Sequence, residues 1–126
     1  MAEYTYITEI VAPTSAAPGE TVEVIVRIKN TYTWAIDIMA GGALEHGVSP
    51  WPTINFPVNQ ATVGAGLVHS FLGYFTMPDA DVNVHAYSYY WSPEGWVWDD
   101  EAVLTVWRAA QVPEVSQFAI ASYSKV

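Results

Sequence analysis

A hydrophobic period of two runs through most of this chain, and it excludes a helical architecture before composition is considered. In residues 20–30 the set Val22, Val24, Val26 and Ile28 alternates with Glu23, Ile25, Arg27 and Lys29, as in a strand with one buried and one solvated face. Pro18 and Gly19 supply the turn that feeds it, and residues 4–13 read as the preceding strand, ended by Pro13. A third strand is predicted over residues 33–42, with Trp34, Ile36 and Ile38 on one face and Asp37 on the other. Residues 43–60 are less regular. They hold Pro50, Pro52 and Pro57, so pairing there is expected to be short or at an edge, since proline cannot donate to a ladder. Period two then resumes over residues 66–77 and over residues 82–90, where Val82, Val84 and Ala86 share a face. The turn Ser92-Pro93-Glu94-Gly95 leads into a last strand over residues 96–109. No 3.6-residue apolar period persists with caps. About seven strands in consecutive hairpins predict an all-β fold, a two-sheet antiparallel β-sandwich over residues 1–112 with a C-terminal extension, residues 113–126.

At 126 residues the chain is long enough for one self-sufficient core. Hydrophobic residues make up 52% and charged residues 13%, which argues against disorder and for apolar surface meant to be covered. Four basic residues stand against 13 acidic ones, net −9, so a phosphate backbone would be repelled and nucleic acid is not an expected partner. Cysteine is absent, which removes disulfides, thiolate metal sites and cysteine catalysis. No apolar run reaches the roughly 18 residues of a membrane helix, so no membrane partner is expected. The first ten residues have no basic region followed by an apolar one, so no secretory signal is expected either.

The polar residues suggest little chemistry. His46, His69 and His85 have no short-spaced partner of the kind zinc sites use. Asp79, Asp81 and Asn83 alternate as in the first half of a calcium loop, but Val84 stands where that loop needs Gly and Tyr90 where it needs Glu. The run Asp99-Asp100-Glu101 offers carboxylates, yet neighbours on a strand point to opposite faces and do not flank one glycosidic bond. A β-bulge explains that run better, because the alternation of Trp96 and Trp98 is out of phase with Leu104 and Val106. No nucleophile elbow or glycine-rich phosphate loop occurs. No catalytic residue, metal or cofactor is expected.

The aromatic residues remain. If the turn at Pro93 pairs Trp91 with Trp96, Tyr89 falls opposite Trp98, and Tyr87, Tyr89, Trp91, Trp96 and Trp98 share one face of the hairpin. Val82, Val84 and Ala86 take the other, the natural core face. The rings are then left outward as a protein interface or a sugar platform, unless residues 43–60 or the C-terminal extension cover them. Phe118, Ile120 and Tyr123 keep that extension apolar, as an added strand or an arm laid on a neighbouring subunit.

Residues 17–30 together with residues 75–91 resemble the B-strand and E-to-F segments of bacterial and phage Ig-like β-sandwich modules of the cell-adhesion-related type. That resemblance implies a binding or structural module without catalytic residues. The expectation is a non-catalytic virion protein, a capsid decoration or a tail or fibre component, that forms homo-oligomers or docks on a capsid or tail lattice. A carbohydrate-binding module that takes glycan on the same rings, or an extracellular adhesion module at a cell surface, fits the same strands.

Overall fold

The computed structural model describes residues 3–109. It contains eight strands: β1 (Thr5–Val11), β2 (Ser15–Ala16), β3 (Thr21–Asn30), β4 (Ile36–Glu45), β5 (Gln60–Val63), β6 (Val68–Thr76), β7 (Val82–Ser92) and β8 (Gly95–Arg108). They form a three-stranded sheet, β1-β3-β6, and a five-stranded sheet, β2-β8-β7-β4-β5. With β1, β3 and β6 as strands A, B and E, and β4, β7 and β8 as C, F and G, this is the strand order of an Ig-like sandwich. Among the described residues no helix is long and apolar enough to cross a membrane.

The core is built as the alternation requires. Val22, Val24, Val26 and Ile28 of β3 and Phe71 and Phe75 of β6 face Ile38, Ala40 and Leu44 of β4, Val82, Val84 and Ala86 of β7, and Val106 of β8, all buried. Each of the larger side chains contributes about 1.5–3 kcal/mol by leaving water. No tryptophan takes part in this core.

Both open sides of the sandwich are closed by specific devices. On one side the β7–β8 ladder shifts register: Ser88 pairs with Asp100 and Tyr89 with Trp98, leaving Asp99 as the inserted residue. At the bulge the Asp99 carboxylate faces inward, 3% exposed, beneath the start of β1. There it accepts the N–H groups of Tyr4 at 3.0 Å and Thr5 at 2.7 Å, and the Thr5 hydroxyl at 2.6 Å. Because Thr5 has a single hydroxyl proton and gives it to a carboxylate, the Ser88 hydroxyl 2.6 Å away donates to Thr5. Asp100 accepts the next outward N–H of β1, from Ile7, at 2.9 Å. Two consecutive carboxylates thus satisfy the free edge of β1.

On the other side, residues 53–56 cross between the sheets. Thr53 bridges to Ala43 of β4 and Asn55 to Tyr74 of β6, while Ile54 and Phe56 plug the gap. Gly42 and Gly73 make room for them. A Cβ on Gly42 would lie 2.6 Å from Ile54 Cδ1, and one on Gly73 would lie 2.7 Å from Phe56 Cε1.

Several expectations change. Two of the eight strands, β2 with two residues and β5 with four, are not among the six located from the sequence. Only β4–β5 and β7–β8 are consecutive neighbours, and β2 runs parallel to β8. Trp34 does not share a strand face with Ile36 and Ile38. It precedes β4 and is exposed, with its carbonyl accepting the side-chain amide of buried Asn30 at 2.9 Å. The C-terminal extension, including Phe118, Ile120 and Tyr123, lies outside the described residues.

Candidate functional site

The hairpin of β7 and β8 sets the site. Ser92 pairs with Gly95 across Pro93 and Glu94, and Gly95 takes φ 114°, a conformation open to glycine. Trp91 then pairs with Trp96 and Tyr89 with Trp98, as the hairpin register requires, and the aliphatic residues of β7 face the core. Tyr87, Tyr89, Trp91, Trp96 and Trp98 therefore lie together on the outward face of the five-stranded sheet.

They are not equally available. Trp91 and Trp98 are 52% and 53% exposed. Trp96 is half-buried and meets Trp91 edge to face, with ring centroids 5.2 Å apart. Tyr87 and Tyr89 are also half-buried, and Tyr89 lies over Gly41, where a Cβ would sit 3.2 Å from its ring. Burial pushes the Tyr87 and Tyr89 hydroxyls above the usual phenol range, with Glu101 adding to the effect at Tyr87.

The face extends beyond the residues singled out from the sequence. After the bulge, β8 places Glu101 opposite Tyr87 and Val103 opposite His85, so Val103 and Trp107 continue the outward stripe at 53% and 57% exposure. Applying the inferred bulge to residues 101–107 would have found them. Beside Trp91, on the opposite side of β7, lies an aromatic cluster that sequence reasoning missed. Tyr4 meets Tyr90 at 4.7 Å and Tyr32 at 4.8 Å, and Tyr32 meets Trp34 at 5.6 Å. These rings come from three separate segments, which no local pattern could connect.

A cluster of titratable groups, His85 with Glu45 and Glu101, sits within the face. His85 bonds Glu45 through Nε2 at 2.9 Å and Glu101 through Nδ1 at 2.7 Å. Trp51, from the irregular segment, stacks on His85 with centroids 4.7 Å apart. Tyr87 follows at 6.4 Å on the same ladder face. Burial pulls the imidazole down, but the two carboxylate bonds outweigh it and hold His85 above its ordinary value. Glu45 is correspondingly lowered, by His85 first and Asn83 second.

The carboxylates of Asp79, Asp81, Asp99 and Asp100 are engaged in structure. Asp99 and Asp100 hold β1. Asp79 pairs with the Arg108 guanidinium at 3.0 Å, Asp81 accepts the Arg108 N–H at 2.7 Å, and Asn83 accepts the Thr105 hydroxyl at 2.8 Å. The alternating oxygens of residues 79–83 thus anchor the end of β8. Among the described residues no group of three or more His, Asp or Glu side chains is arranged to hold a metal.

No family model matches the chain, and no curated protein matches it. Among solved structures, the sporulation control protein Spo0M from Bacillus subtilis is similar over 86% of this chain and 51% of its own, with 17% identity and a TM-score of 0.46. The chain spans about half the length of that protein.

Proposed function

We propose that this chain is a non-catalytic assembly module that joins copies of itself through the outward face of its five-stranded sheet. The observation that carries this reading is the pair Trp91 and Trp98, each more than half exposed on one sheet face while aliphatic residues fill the core. Trp98, Val103 and Trp107 extend the stripe along β8 over about 30 Å at the usual rise per residue, a length suited to a protein surface. Tryptophan and tyrosine dominate the energetics of such contacts. The engagement of Asp99, Asp100 and Glu101 in structural bonds supports a role without catalysis.

Docking on a capsid or tail lattice belongs to the same reading, with the virion setting taken from the resemblance to phage-borne modules. The C-terminal extension joins the proposal as a second contact through Phe118, Ile120 and Tyr123. Sedimentation velocity across a concentration series tests it: the wild type forms dimers or larger species, Trp91→Ser/Trp98→Ser stays monomeric, and a version ending at Gln111 isolates the extension. A wild type that sediments as a monomer throughout would count against self-assembly.

A further inference from the structure

Beside the tryptophan stripe, on the β4 side of the same sheet, the chain leaves an opening. The Ile54 N–H donates to the Gly42 carbonyl at 3.0 Å, and the Ala40 N–H donates to the Asn59 carbonyl at 2.9 Å. Between these two attachments the chain leaves β4 to bridge Asn55 with Tyr74 on the other sheet. The result is a groove of about 560 Å³, floored by Gly41 and Gly42 and walled by Tyr87 and Tyr89. That volume falls in the range of small-molecule sites.

The chemistry of the lining narrows the occupant. No charged side chain contributes to it. Asn55, Asn59 and Thr53 line it and are exposed, and among the described residues none of their side chains has a protein hydrogen-bond partner. Free amides offer a donor and an acceptor each, the pattern that a vicinal pair of hydroxyls matches. Tyrosine rings offer apolar faces for the C–H surface of a pyranose. An anion would find no cation here, and a cation no carboxylate. A hydrocarbon ligand would leave the amides desolvated without partners, at a cost.

We infer that this groove binds a neutral saccharide of one or two rings, held against Tyr87 and Tyr89 and hydrogen-bonded by Asn55 and Asn59. The groove shares Tyr87 and Tyr89 with the face proposed for assembly, whereas Asn55 and Asn59 come from the crossing segment, so loss of sugar binding in Asn59→Ala with sedimentation unchanged separates the two readings.

The test is an NMR titration of the full chain with maltose, cellobiose, mannobiose and N,N′-diacetylchitobiose, each raised to about 10 mM, a range that reaches millimolar affinities. At least one of them is expected to give saturable amide shifts at Gly41, Gly42, Asn55 and Asn59. Asn59→Ala and Tyr89→Ala are each expected to weaken binding about tenfold, while Leu72→Ser, at an exposed position on the other sheet, leaves it unchanged. Should Tyr89→Ala fail to fold, Asn59→Ala, at an exposed position, carries the test. Absence of saturable shifts with all four sugars would overturn the inference, as would shifts confined to Trp91 and Trp98.

Discussion

The Asp99 carboxylate accepts the Thr5 backbone N–H at 2.7 Å across 94 residues of sequence, and this bond joins the first strand of one sheet to the last strand of the other. Asp99 faces inward by strand alternation, one residue after outward Trp98, and the bulge lets Asp100 face inward beside it, opposite buried Ser88. Asp99→Ala would leave the Tyr4 and Thr5 N–H groups and the Thr5 hydroxyl without their acceptor. The expected loss is about 3 kcal/mol, from unsatisfied buried donors, a large share of a typical domain's stability. Urea denaturation measures it, and amide exchange at Thr5 and Ile7 is expected to accelerate ahead of exchange at Val24 and Val26.

The opposite side of the sandwich rests on a close approach. Gly42→Ala would bring its Cβ to 2.6 Å from Ile54 Cδ1 and 3.0 Å from the His85 carbonyl. A destabilisation of about 1–3 kcal/mol follows from overpacking. Adding Ile54→Val removes the closest atom and is expected to restore part of the loss. The comparison of urea midpoints for the single and double variants checks the coupling.

Much of this architecture was legible because its signals are local. The alternation of Val22, Val24, Val26 and Ile28 marks β3 directly, and the Pro93–Glu94 turn sets the pairing of Trp91 with Trp96. Even the bulge showed, since Trp96 and Trp98 fall out of phase with Leu104 and Val106. What the bulge does was hidden: nothing near Asp99 announces that its partners are Tyr4 and Thr5. β2 escaped notice because two residues cannot display a period, and β5 because its four residues include one buried position, Val63. The contribution of Trp51 to the site was equally hidden, because Trp51 lies in an irregular segment and its stacking partner His85 on β7, far along the chain.

His85 makes stability depend on pH. Its folded value lies above the ordinary imidazole value because bonds to Glu45 and Glu101 outweigh burial. The imidazolium therefore contributes stability that is fully present below the unfolded value near 6.5 and is lost as pH rises through the folded value. Glu45, lowered in the folded state, adds stability that is lost as pH falls through its own folded value. Denaturation midpoints measured from about pH 5 to 9 are expected to decline more for the wild type than for His85→Gln over the upper part of that range. Parallel curves would show that the cluster does not titrate in this way.

Salt distinguishes the proposed assembly from a charge-driven one. Each copy carries a net charge of −9, so copies repel at long range, and screening weakens that repulsion. Association through Trp91, Trp98, Val103 and Trp107 is expected to strengthen between low and high ionic strength. Weakening over the same range, read by sedimentation, would point to an ionic contact.

Hydroxyl-radical footprinting of the full chain at dilute and concentrated protein locates the contact most directly. Burial between copies predicts that Trp91, Trp98, Val103 and Trp107 become protected together as concentration rises, while Leu67, exposed in the loop before β6, and Leu72, exposed on the other sheet, stay equally reactive. Unchanged oxidation of Trp91 and Trp98, or protection that appears at Leu72 instead, would contradict the assembly role assigned to the tryptophan stripe.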